Sequence, residues 1–188
     1  MNAPDFTTNP WHGLWRGCLS FISPAVVGAF FLFFLIAMNL TQLYKYRDYA
    51  VAGRWKDLED LFNQSVQLQY LGARVSLANP EQPVVLVDEI KAVHQGGIGS
   101  DAVHGGFIAA VADLALGLLG LLHYKDGMTA TAQLTVHYLK PFRTSSLQAT
   151  AITQKVVGNR VFGTVELSND KGEVCAIAYG ALAKGISL

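Results

Sequence analysis

The stretch from His104 to Tyr124 limits what this chain can fold into more than any other. It is apolar at helical period, and small residues recur through it: Ala109, Ala110, Ala112, Ala115, Gly117 and Gly120. Those short side chains leave room for a sheet to wrap closely around the helix. Four runs that follow, 129–139, 147–156, 160–168 and 174–183, alternate as strands do and supply such a sheet. Gly158-Asn159 and Asn169-Asp170-Lys171-Gly172 between them are hairpin signals. Upstream, 67–77 and 84–93 carry β-type runs separated by the turn Ala78-Asn79-Pro80-Glu81-Gln82-Pro83. Two strands, one long helix and an antiparallel meander predict an α+β domain with its sheet curled around a central helix.

The helix begins with His104-Gly105-Gly106, after a glycine-rich loop over 95–101. Two glycines there let bare backbone amides face a ligand at a helix N-terminus. Asp113 lies nine positions after the histidine, between Ala112 and Leu114. A lone carboxylate in such a run is costly to bury unless it is hydrogen-bonded or has a chemical task, so a desolvated Asp113 is expected. An amide that polarises an oxygen, near such a carboxylate, is a minimal kit for acyl hydrolysis.

The N-terminal part has a different character. From Gly17 to Tyr44 there is no charged residue, and Phe21 to Leu40 reads FISPAVVGAFFLFFLIAMNL. Twenty residues at helical rise span about 30 Å, the thickness of a bilayer's hydrocarbon core. Trp11 and Trp15 before it and Tyr44 and Tyr46 after it suit interfacial anchors. Only Arg16 precedes the run, and no small-residue cleavage site follows, so a signal peptide fits poorly. Lys45, Arg47, Arg54 and Lys56 follow it, which predicts a single span with the C-terminal domain on the cytoplasmic side. The expected organisation is a tail over 1–20, a transmembrane helix over 21–44, an amphipathic linker helix over 45–65 and the α+β domain over 66–188. Within the linker, one helix is expected over 49–62, with Trp55, Leu58, Leu61 and Phe62 on one side.

Net charge is zero and 15% of residues are charged, which argues against a nucleic-acid partner. Cys18 and Cys175 are too few and too far apart for a metal cluster or a disulfide framework. His94, His123 and His137 are scattered without ligand spacing, so no metal and no cofactor is expected.

The segments VHGGFIAAVADLALG, LTVHYLKPFR and VVGNRVFGTVELSNDKGEVCAIAYG resemble small acyl-CoA thioesterases of the hotdog superfamily, in the phenylacetyl-CoA thioesterase branch. The likeness runs from about Leu71 to Lys184. It implies a hotdog fold, an acyl-CoA substrate, and a homodimer or tetramer with active sites between subunits. By position it implies Asp113 as general base or nucleophile and the Gly105 amide as the group polarising the thioester carbonyl. His104 would hold that loop or touch the carbonyl, and Thr131 would place a hydroxyl near the attacking water. Many relatives carry an Asn six residues before the histidine; Ile98 stands there, and Gln95 or Asp101 could substitute.

Gly106 belongs to the same turn. Lys140, Arg143 and Arg160, in turns after strands, are candidates for the phosphates of coenzyme A. Two other functions stay open. A hotdog dehydratase needs a differently placed His and acidic pair, and no such motif appears. A non-catalytic acyl-binding or membrane-scaffold protein would keep the fold without the carboxylate chemistry.

Overall fold

The computed structural model describes residues 44–96, 101–125 and 127–187, so the expected span and tail lie outside the described residues, as does Ile98. Three helices open the described chain: α1 over 44–51, α2 over Trp55–Asn63 and α3 over Val66–Leu71. Two short strands follow, β1 (Arg74–Ser76) and β2 (Val84–Val87), then a 3-10 turn at Ala92–His94. The long helix α4 covers Gly105–His123, and β3 (Gly127–Tyr138), β4 (Leu147–Val157), β5 (Arg160–Asn169) and β6 (Val174–Ser187) complete the chain. Helix α4 and the last four strands fall where the sequence puts them.

All six strands form one sheet in the order β1-β2-β4-β5-β6-β3, and every pairing is antiparallel. One face of the sheet curls over α4, which buries Ile108, Val111, Ala112, Ala115, Leu116, Leu118 and Leu119 against it. The close approach depends on a dent in the sheet. Gly163 and Gly180 are direct cross-strand partners, and a side chain at either would collide with Leu116 or Leu119 of the helix. Apolar layers this tightly interlocked supply most of a small domain's stability. Strand β3 is left as an edge.

The N-terminal third departs from the sequence reading. The single helix expected over 49–62 is two, because Gly53 takes a left-handed conformation (φ +67) that ends α1. The β-type run over 67–77 is mostly helix. Ser65 caps α3 by accepting the Leu68 N–H, and Gly72 (φ +61) ends it, so only Arg74–Ser76 remains as strand. Local capping outweighed the alternation of apolar residues. Likewise, 84–93 is a strand only as far as Val87. Residues 45–65 also join the core: Ala50 and Leu58 are fully buried. Asn63 brackets the outer side of β1, donating to the Val75 carbonyl (3.0 Å) and accepting from its N–H (2.7 Å). That side-chain amide covers part of a sheet edge that would otherwise be open.

Candidate functional site

The site grows from the first turn of α4. His104 is the N-cap in extended conformation, and its Nδ1 accepts the Gly106 N–H at 2.9 Å. The Phe107 and Ile108 N–H groups both reach the His104 carbonyl. Among the described residues this leaves the Gly105 N–H as the amide of that turn without a partner. It points out at the positive end of a nineteen-residue helix, where negative charge is favoured. Because Nδ1 of His104 accepts, its proton sits on Nε2, and the ring is exposed.

The loop before this turn is closed by a short neck. His94 O accepts the His104 N–H (2.8 Å), Gln95 bridges Val103, and the Gly96 N–H reaches Ala102 O. Gly96 is required there, since a Cβ would lie 2.6 Å from the His104 Cβ. Tyr138, at the end of β3, donates its hydroxyl to the Gly105 carbonyl at 2.8 Å and fixes the turn from the other side. Between the turn and the strand end lies a cleft of about 380 Å³, lined among others by Gly105, Ile108, Tyr138, Lys140 and Phe142.

The sequence-predicted residues fall into groups. His104, Gly105 and Gly106 share the first turn, and Lys140 lines the cleft beside Gly105. Lys140 is paired with Glu173 (3.2 Å). Arg143 donates to Asp101 at 2.6 Å, and the pair pins the far end of the loop to the turn after β3. Arg143 holds the Asp101 carboxyl below its usual range, so Asp101 stays ionised and cannot donate to a carbonyl oxygen. Gln95 is exposed at the neck, with a side chain able to donate.

Asp113 is exposed, contrary to the desolvated carboxylate expected from its apolar neighbours. It lies two turns along α4 from Gly106, which is also exposed, on the side of the helix away from the sheet. Eight residues at helical rise put it about 12 Å along the axis from Gly105. Thr131 is exposed on the edge strand β3. Arg160 belongs to the opposite end of the domain. It pairs with Val157 and Ala183 beside Gly158, whose carbonyl accepts from Tyr124 at the C-terminus of α4. The chain therefore gathers the glycine turn and Lys140, and keeps Asp113 and Arg160 apart from them.

Two residues that hold the site were not assigned a role from sequence. Tyr138 lies in the LTVHYLKPFR segment but carries no local sign of its bond to Gly105. His94 is buried for reasons that only the folded chain reveals.

Residues 101–176 match the family profile of the thioesterase superfamily. Solved structures share the fold: a thioesterase from Haemophilus influenzae is 19% identical, with a TM-score of 0.62 over 71% of this chain and 91% of that one. The PaaI protein from the phenylacetic acid degradation operon of E. coli is 18% identical, with a TM-score of 0.60 over 71% and 94%. A Shewanella oneidensis protein related to the thioesterase superfamily is 20% identical, with a TM-score of 0.59 over 71% and 97%. No curated protein matches the sequence. The sheet curled on α4 is the hotdog fold.

Proposed function

We propose that this chain, whose C-terminal domain is a hotdog domain of the thioesterase superfamily, hydrolyses acyl-CoA thioesters as a membrane-anchored dimer. The observation that carries the reading is the unpartnered Gly105 N–H at the head of α4, with an exposed carboxylate on the same helix. In this reading the thioester carbonyl oxygen sits on that amide. Asp113 takes a proton from water as the water oxygen attacks the carbonyl carbon. The tetrahedral intermediate collapses, the carbon–sulfur bond breaks, and the coenzyme A thiolate leaves with the proton to give free acid and thiol. Direct attack by Asp113 is the variant route, through an anhydride that water then opens.

The separation of about 12 Å along one helix is too long for both groups to reach one carbonyl. Two copies of α4, antiparallel about a two-fold near Ala109, would set Gly105 opposite Asp113 of the partner subunit. The outward side of α4 supports this: Gly106 and Asp113 are exposed, and Ala109, Ala110 and Gly117 are only half-buried and short enough for close approach. Such a pairing would also desolvate the carboxylate, as the sequence expects. Lys140, Arg143 and Arg160 are candidates for the phosphates of coenzyme A, the first two after exchanging their present partners.

The apolar run over 21–40 is read as a bilayer span, with the basic residues after it keeping the hydrolase on the cytoplasmic side. A tethered enzyme of this kind meets amphiphilic long-chain acyl-CoAs at high local concentration, and these are the favoured substrates. The test is thioester hydrolysis by the full-length chain, extracted from membranes with detergent. Asp113→Asn should lower turnover by at least about a hundredfold while the thioester still binds. Undiminished turnover in the variant removes Asp113 from the mechanism. Binding without turnover in the wild type leaves the acyl-binding alternative. Recovery in the high-speed supernatant without detergent rejects the anchor.

A further inference from the structure

Among the described residues, His94 is the buried polar side chain of the domain, with 3% of its surface exposed. It is also the point where three elements meet. Its ring stacks on Phe107 in the first turn of α4, with centroids 4.4 Å apart and planes within 13°. Its edge lies against the backbone of Gly72, where a Cβ would be 3.5 Å from Cε1. Its Nδ1 accepts the Lys91 N–H at 3.1 Å, and its carbonyl accepts the His104 N–H at 2.8 Å.

The accepting Nδ1 requires a neutral imidazole with its proton on Nε2. Burial and the neighbouring Lys91 ammonium push the ring's pKa below its ordinary value, against a smaller opposing pull from Glu89. Helix α3 and the first turn of α4 bring no charged side chain of their own. A neutral buried ring that is bonded at one edge and stacked on one face is fixed in orientation.

We infer that His94 is the positioning residue for the Gly105 amide. Its stacked ring and its carbonyl together set where the first turn of α4 points. The inference rests on the role proposed for Gly105, and it assigns to His94 no contact with substrate. Three links carry the effect, the first being the Lys91 N–H bond to Nδ1, which fixes the ring's orientation. The ring braces Phe107 two residues after Gly105, and the carbonyl holds His104 one residue before it. Gly105 therefore lies between two braced positions, with Tyr138 on its carbonyl as the third brace. Donors to a developing oxyanion act over a narrow range of distance, so a shift of an ångström matters more to turnover than to ground-state binding.

The experiment compares His94→Ala and His94→Phe with the wild type in the full-length chain. Phe keeps a ring to stack on Phe107 but cannot accept the Lys91 N–H. The readouts are Tm, kcat and KM for an acyl-CoA, and hydrogen exchange of amides 104–108. We expect Phe to recover most of the Tm lost in Ala, while kcat stays about tenfold or more below wild type with KM little changed. Exchange should quicken at 104–108 and stay unchanged in the sheet.

Full recovery of kcat by Phe overturns the inference, because His94 would then only fill space. Wild-type kcat in Ala overturns it also. If the wild type hydrolyses no thioester, the proposed function fails and the exchange arm alone decides. Loosening confined to 104–108 then supports His94 as the brace. Uniform loosening, or none, rejects it.

Discussion

Replacing Gly105 with proline removes the open N–H of the candidate site and puts the ring's Cδ on that nitrogen. Proline is favoured at the first position of a helix, because the N–H it lacks has no partner within the helix and its φ is already helical. Gly105 occupies that position, and its φ is not positive. The residue before a proline must be extended, and His104 is, with φ −64 and ψ 133. The added Cβ would meet Tyr138 Cζ and Oη at 3.3 Å, a tight contact that Gly105→Ala reproduces with the amide intact. Alanine is therefore the matched control. Loss of one oxyanion donor costs about 3 kcal/mol, or on the order of a hundredfold to a thousandfold in kcat. Turnover at saturating acyl-CoA, followed by release of free thiol, should fall by that factor from the Ala variant to the Pro variant. Tm should differ little between them. Equal activity in the two would show that the amide does not polarise the carbonyl; equal inactivity would implicate crowding of Tyr138 instead. Mixing Gly105→Pro with Asp113→Asn subunits adds a test of the cross-subunit pairing. In a mixed dimer one of the two sites receives an intact amide and an intact carboxylate, so activity should return. If both groups serve within one subunit, no mixture recovers.

Two further outcomes follow from the packing. The folded-state pKa of His94 is depressed, so the unfolded chain binds the extra proton first. The stability it contributes is complete above its ordinary 6.5 and is lost as pH falls from there toward the lower folded value. The denaturant midpoint should therefore drop between about pH 7.5 and 5.5, before carboxylates titrate, and His94→Phe should flatten that drop; an equal drop in the variant refutes the assignment. Gly180→Ala would put a methyl against Leu116 and 2.7 Å from the Gln133 carbonyl, overpacking the core by about 1–3 kcal/mol. Tm should fall by about 2–12 °C, and an unchanged Tm would mean that the helix does not seat in the dent.

What the sequence made legible depends on how local the cause is. Helix α4 and strands β3 to β6 announce themselves, because their periods hold over ten or more residues. Their hairpins turn at Gly158 and Gly172, both with positive φ. Helices α1 to α3 do not, because each is short and is bounded by a single cap or a single glycine. In Val66–Leu71 the alternation of Val66, Leu68 and Tyr70 mimics a strand, and only Ser65 and Gly72 decide otherwise. The same division runs through the site. The Gly105 turn follows from three consecutive residues and was readable. The ion pairs Arg143–Asp101 and Lys140–Glu173 join positions more than thirty residues apart, and no pattern signals them. His94 looked like one of several scattered histidines, since nothing nearby in sequence says that Phe107 will cover it.

The exposure of Asp113 bears on the proposed pairing of two chains. A carboxylate among Val, Ala and Leu is costly to bury unless it is hydrogen-bonded or has a chemical task. In the single chain the carboxylate is exposed, so that desolvation cost is not incurred. Yet the side of α4 around Asp113 is not the polar face that a solvated helix usually presents. Its neighbours Gly106, Ala109, Ala110 and Gly117 are small and uncharged, while Ile108, Val111, Leu116, Leu118 and Leu119 are buried on the other side. A face made short rather than polar suits close contact with a second backbone more than contact with water. A second α4 laid there would return Asp113 to the apolar surroundings that the sequence implied, and would do so opposite the open amide of Gly105. In such a dimer Asp113 would be buried, while in the single chain it is exposed. The proline and asparagine mixture separates these cases directly, because recovery of activity requires the two groups to come from different chains.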